Sequence, residues 1–151
     1  MENLREADAV ITAAGLSSRM HDLKAVLPVG GRPAAACIVE KLLAAGVKRV
    51  FVVTGHREEE IKASLRDYPV YFVRNENYAA SQMLDSIKCG LAGREQAACT
   101  PEPESGSADR ACLVTPVDVP LFSVATVKAL LACKGDYCIP VCGGRKGHPI
   151  L

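Results

Sequence analysis

Three short segments of this 151-residue sequence carry residue types that could act on a charged ligand. The first is Ala13-Ala14-Gly15-Leu16-Ser17-Ser18-Arg19-Met20, followed by Lys24. Two alanines and a glycine let a ligand approach the backbone closely, and turn amides make a cradle for an anion. Arg19 and Lys24 add positive charge that suits a triphosphate. The segment is neither a GxxxxGK(S/T) phosphate loop nor a GxGxxG dinucleotide fingerprint. The second is Asp118 in Pro116-Val117-Asp118-Val119-Pro120. The prolines restrict the backbone, and a carboxylate at a strand's end is well placed to hold Mg²⁺ on a substrate phosphate. The third is Gly143-Gly144-Arg145-Lys146-Gly147-His148-Pro149, glycine-rich, with two cations and a histidine. Each has a plainer alternative: a tight β-to-α turn with two solvated cations, an aspartate satisfying turn amides, and a turn histidine.

These segments need elements to hold them. Val10-Ile11-Thr12-Ala13, ending before Gly15, is expected to be a buried strand. Ala34 to Ala45 carries apolar residues at helical spacing after Pro33, and Gly46 stops it. Arg49 to Thr54 is a β-branched run and a second buried strand. Glu58 to Leu65 follows as a short helix and Val70 to Val73 as a third strand. Ser81 to Leu91 reads as a helix with Met83, Leu84, Ile87 and Leu91 on one stripe. Residues 94–109 lack periodicity and are rich in Pro, Glu, Ser and Gly, so a mobile surface loop is expected there. Ala111 to Thr115 is a strand, Ser123 caps a helix to Ala132, and a last strand is expected around Tyr137–Val141. Such alternation implies an α/β fold: a mainly parallel sheet with helices on both faces and ligands at the carboxyl ends of the strands. All three segments follow strands, so they are expected to meet on one rim.

Bulk properties set limits. The chain is 49% hydrophobic and 23% charged, too apolar for disorder and long enough for one domain. Eighteen Lys and Arg against seventeen Asp and Glu leave a net charge of +1, which gives no support for a nucleic-acid partner. No apolar stretch reaches bilayer length, and the N-terminus is acidic with no hydrophobic run after it, so a cytoplasmic protein without a membrane partner is expected. Seven cysteines, odd in number and without a CxxC pair, read as small hydrophobes and not as a disulfide or zinc framework.

Together the motifs resemble the molybdenum-cofactor nucleotidyltransferase family, which attaches CMP or GMP to molybdopterin. The likeness rests on Ile11 to Met20, Lys24 and Leu27-Pro28, then Val52-Val53-Thr54-Gly55, Asn75-Glu76-Asn77-Tyr78 and Met83 to Leu91. Pro116 to Leu121 and Gly147-His148-Pro149 complete it. The resemblance implies a Rossmann-like three-layer α/β/α fold of the nucleotide-diphospho-sugar transferase kind, forming one NTP-transferase domain over residues 1–151. It implies that Arg19, Lys24 and Asp118 carry catalysis, with Asp118 ligating Mg²⁺ as cofactor. Ala13, Ala14, Gly15, Leu16 and Gly55 would bind the nucleotide, while Ser86 and His148 would face the acceptor. The Ala-Ala-Gly form of the loop favours CTP over GTP.

This sequence departs from the family pattern at His21-Asp22, where a glycine is usual after Arg-Met, and at Gln82, where many members have glycine. It also stops after Gly-His-Pro-Ile-Leu, where relatives continue with a further acidic metal ligand, so C-terminal elements are expected to be lacking. The expected reaction is attack by the phosphate of molybdopterin or another phosphorylated acceptor on the α-phosphorus of an NTP, releasing pyrophosphate. Two alternatives stay open: a sugar- or alditol-phosphate nucleotidyltransferase, and a nucleotide-binding module or fragment without catalysis.

Overall fold

A computed structural model describes residues 4–15, 23–98 and 110–151. Its centre is a four-stranded sheet of β1 (Ala7–Thr12), β4 (Val50–Thr54), β5 (Val70–Arg74) and β6 (Ala111–Pro116), in the order β5-β4-β1-β6. Every pairing in it is parallel. All residues of β1 and β4 are buried, as expected of apolar runs covered on both faces. The chain steps from β1 outward to β4 and β5, then returns to place β6 on the other side of β1. That reversal opens a crevice between the carboxyl ends of β1 and β6.

Three helices cover one face: α1 (Ala34–Ala44), α2 (Glu58–Ser64) and α4 (Val124–Ala132). Ile38, Leu42, Ile61, Val127 and Leu131 pack there against Ala9, Ile11, Val52 and Leu113. Ser123 caps α4, its Oγ accepting from Thr126 N at 3.1 Å. The other face is covered by α3 (Met83–Ala98), lying on Val10, Phe51 and Val53. The expected three-layer α/β/α arrangement is therefore present. Two small hairpins lie outside the sheet: β2 (Pro28–Val29) with β3 (Arg32–Pro33), and β7 (Val141–Cys142) with β8 (Arg145–Lys146).

Three expectations need correction. The helix expected to end at Leu91 runs to Ala98, so residues 94–98 are helical and only 99–109 of the expected loop lie outside the described residues. Gly90 does not stop it. A Cβ at Gly90 would overlap Val10 Cγ1, and one at Gly93 would lie 2.6 Å from Val73 Cγ2, so both glycines serve close packing of helix on sheet. The strand expected at Tyr137–Val141 is absent from the sheet. Gly143 and Gly144 both have positive φ (57° and 76°), the geometry of a two-residue hairpin turn, which folds Val141-Cys142 onto Arg145-Lys146 instead. The last residues then join β6 in the opposite sense, Ile150 bridging Val114 antiparallel. The glycine-rich third segment thus precedes a sheet contact and does not follow a parallel strand.

β1 also begins earlier than its apolar run, because Asp8 is a fully buried member of it. Arg49 clasps that carboxylate with Nε to Oδ1 at 3.1 Å and Nη2 to Oδ2 at 2.6 Å, and Arg94 Nε reaches Oδ2 at 2.9 Å. The charge is tolerated because it is paired on all sides. This cluster ties β1, the start of β4 and α3 together at the end of the sheet away from the crevice.

Candidate active site

The crevice at the switch point holds a cavity of about 190 Å³. Thr12 to Gly15 from β1, Leu23 to Ala25, and Pro116 to Asp118 from β6 form one side. Tyr78, Ser81, Gln82, Met83 and Ser86 form the other. Two of the three segments singled out by residue type therefore meet, through Lys24 and Asp118. Lys24 Nζ donates to Asp118 Oδ2 at 3.1 Å, across ninety-four positions of sequence. Both side chains stay open to solvent, at 39% and 45% exposure. Lys24 starts a 3₁₀ turn, Lys24–Val26, anchored by buried Leu23 and Ala25, so its backbone is fixed while its head is free.

One end of the cavity is thus ionic and the other is neutral and hydrogen-bonding. At the neutral end Asn75, buried behind the lining, donates through Nδ2 to Ser81 Oγ at 2.8 Å and to Ser86 Oγ at 3.2 Å. Tyr78 stands against the first loop because Gly55 has no side chain. A Cβ at Gly55 would lie 2.5 Å from Tyr78 Cβ and 3.0 Å from Ala14 O. Gly55 consequently acts from behind the cavity wall. His56 brings its ring to 6.1 Å from that of Tyr78 on the same rim. Further along, Glu58 takes hydrogen bonds from Lys62, from Thr54 Oγ1 at 3.0 Å and from Arg74 Nη1 at 2.9 Å, locking the carboxyl ends of β4 and β5. The Lys62 ammonium, foremost, holds the Glu58 carboxyl below its ordinary range.

The remaining expected site residues are placed less directly. Leu16 and Arg19 lie outside the described residues. His148 does not line the cavity. It precedes Ile150, whose antiparallel bridge to Val114 sends the preceding chain toward the Pro116 end of β6. Its Nδ1 is buried with no protein hydrogen bond among the described residues. Tyr78, Ser81 and Asn75 are site residues that residue-type reasoning did not assign. Asn75 and Tyr78 stood only within the Asn-Glu-Asn-Tyr motif. Among the described residues no three His, Cys, Asp or Glu side chains come together as a metal cage. One exposed carboxylate beside the Ala13-Ala14-Gly15 turn is nevertheless a donor set that would fit Mg²⁺, which keeps several waters and shares its coordination with substrate phosphates.

The match to a family model decides what this arrangement belongs to. Residues 9–151 match the model of the MobA-like NTP transferase domain. The chain belongs to that family. Among relatives, this MobA-like domain is 29% identical over 146 residues to the molybdenum cofactor cytidylyltransferase of Escherichia coli K12, covering 95% of this chain and 68% of the relative. It is 34% identical over 128 residues to the bifunctional protein GlmU of Halorhodospira halophila, covering 83% of this chain but 24% of that relative. The chain thus spans about a quarter of the GlmU relative's length. Among solved structures, a Mycobacterium tuberculosis H37Rv protein crystallised with manganese superposes with a TM-score of 0.72 at 19% identity, covering 96% of this chain and 69% of that one. That likeness bears on the fold, which is the Rossmann-like parallel sheet expected from the motifs. No helix among the described residues is long and apolar enough to cross a membrane.

Proposed function

We propose that this MobA-like domain transfers a nucleoside monophosphate, CMP by preference, from an NTP to the phosphate of a molybdopterin-type acceptor. An acceptor phosphate oxygen attacks the α-phosphorus, the α–β anhydride bond breaks, and pyrophosphate leaves. The observation that carries the reading is the Lys24–Asp118 pair on a cavity at the switch point, beside the Ala13-Ala14-Gly15 turn. Such a reaction asks protein for in-line positioning and neutralisation of charge on phosphate oxygens. The backbone of Ala13 to Gly15 cradles the triphosphate, and Lys24 neutralises it, with Arg19 assigned to the same role by the family resemblance. Asp118 would hold Mg²⁺, which supplies Lewis-acid neutralisation of the phosphates. No general base is required, since a phosphate monoester is already largely ionised at neutral pH.

CMP preference is supported by the Ala-Ala-Gly loop and by the cytidylyltransferase relative. A sugar- or alditol-phosphate acceptor stays the competing reading. Incubation with CTP or GTP, Mg²⁺ and each acceptor, read by pyrophosphate release, separates them. The proposal expects release with CTP and reduced molybdopterin, lost in Asp118→Ala. Release that survives Asp118→Ala, or that needs a sugar 1-phosphate instead, overturns it.

A further inference from the structure

Ser86 meets the cavity with an orientation that its neighbours dictate. The backbone N–H of Asn77 donates to Asn75 Oδ1 at 3.1 Å. A backbone N–H can only donate, so this contact fixes which end of the Asn75 amide is oxygen. Both Nδ2 hydrogens must therefore point at the serines, to Ser81 at 2.8 Å and Ser86 at 3.2 Å. Each hydroxyl is thereby used as an acceptor, and its own proton must go elsewhere. Ser81 has a carbonyl for it, Tyr78 O at 3.4 Å. Ser86 donates to no group among the described residues, although it is buried, lines the cavity and sits in the first turn of α3.

We propose that Asn75 is a positioning residue that turns the Ser86 proton toward a phosphate oxygen bound in the cavity. The inference rests on the nucleotidyl-transfer reading, and it adds a positioning residue to it. A hydroxyl left free to rotate serves a donor or an acceptor equally. Held by Asn75, which occupies one of its two lone pairs, Ser86 keeps its proton for an incoming acceptor oxygen. The phosphate is either the nucleotide's or the acceptor's, which share this chemistry.

The test is titration calorimetry of MgCTP and, separately, of phenyl phosphate as a bare monoester. The proteins are the wild type, Ser86→Ala, Asn75→Leu, Asn75→Asp and the Asn75→Leu/Ser86→Ala double variant. Loss of the Ser86 contact to a charged oxygen is expected to weaken one ligand about tenfold. The ligand that weakens identifies the source of the phosphate. Asn75→Leu is expected to weaken the same ligand and to add no further loss in the Ser86→Ala background. Asn75→Asp keeps the acceptor for Asn77 N, so it should melt closer to wild type than Asn75→Leu. It should nevertheless bind the ligand worst, because its carboxylate draws the Ser86 proton inward.

A merely structural Asn75 gives the opposite order, with binding tracking the melting temperature. That order, or full additivity in the double variant, or unchanged affinity in folded Ser86→Ala and Asn75→Asp, overturns the proposal. A wild type that binds neither MgCTP nor phenyl phosphate overturns the functional reading itself.

Discussion

Replacing Lys24 by methionine keeps the length of the side chain and removes its charge, and the structure gives the two consequences opposite signs. In the free protein the ammonium sits 3.1 Å from the one carboxylate that would hold a metal ion. With the partners 39% and 45% exposed, the pair is worth only about 0.2–1 kcal/mol. Lys24 is therefore a weak competitor for Asp118, and its removal should tighten binding of Mn²⁺ alone by at most about fivefold. Toward a bound triphosphate the same ammonium makes a charge-assisted contact that strengthens as charge shifts in the transition state. Loss of such a stabiliser costs about 10²–10³-fold in rate. Lys24→Met should thus bind Mn²⁺ slightly better and release pyrophosphate at least about a hundredfold more slowly. Mn²⁺ titration followed by electron paramagnetic resonance reads the first, and a pyrophosphate-coupled assay the second. The melting temperature should fall by less than about 4 °C. Weaker Mn²⁺ binding in the variant, or undiminished pyrophosphate release, would contradict this role of Lys24.

Other predictions concern the framework. Asp8→Ala strips the buried carboxylate from Arg49 and Arg94 and should cost about 3–5 kcal/mol in a urea titration, because two guanidinium groups lose their shared partner. Gly90→Ala drives a methyl into Val10 and should cost about 1–3 kcal/mol of stability, seen as a lowered melting temperature with nucleotide affinity retained. Glu58 is held by Lys62 below its ordinary value of 4.5, so its contribution is present above that pH and fades as pH falls through the folded value. Glu58→Gln should accordingly be less stable near neutrality by about 1–3 kcal/mol, and its stability should change less with pH below 4.5.

Much of this fold was legible because its strands are continuous apolar runs. Val50 to Thr54 and Val10 to Thr12 need no partner information to be recognised as buried, and Gly46 and Ser123 mark helix ends by local chemistry. The places of the first loop and Asp118 after strands were likewise readable, since both follow continuous apolar runs. What misled were glycines whose meaning is set by distant neighbours. Gly90, beside the helix end expected at Leu91, is a contact with Val10 inside a longer helix, while Gly143-Gly144, in a segment expected on the rim, is a hairpin turn. Asp8 could not be read as core, because its burial depends on arginines forty-one and eighty-six positions away. Asn75, for its part, reaches the cavity lining through Ser81 and Ser86, which no local pattern connects.

The central claim is that the crevice beside Lys24 and Asp118 performs nucleotidyl transfer and not nucleotide binding alone. Its most direct test is CTP labelled at the α-phosphorus, incubated with Mg²⁺, reduced molybdopterin and the full chain. Label is expected in the acceptor, with pyrophosphate in equal amount, and neither product with Asp118→Ala. CTP bound by calorimetry with no label reaching any phosphorylated acceptor would contradict it and leave a binding module.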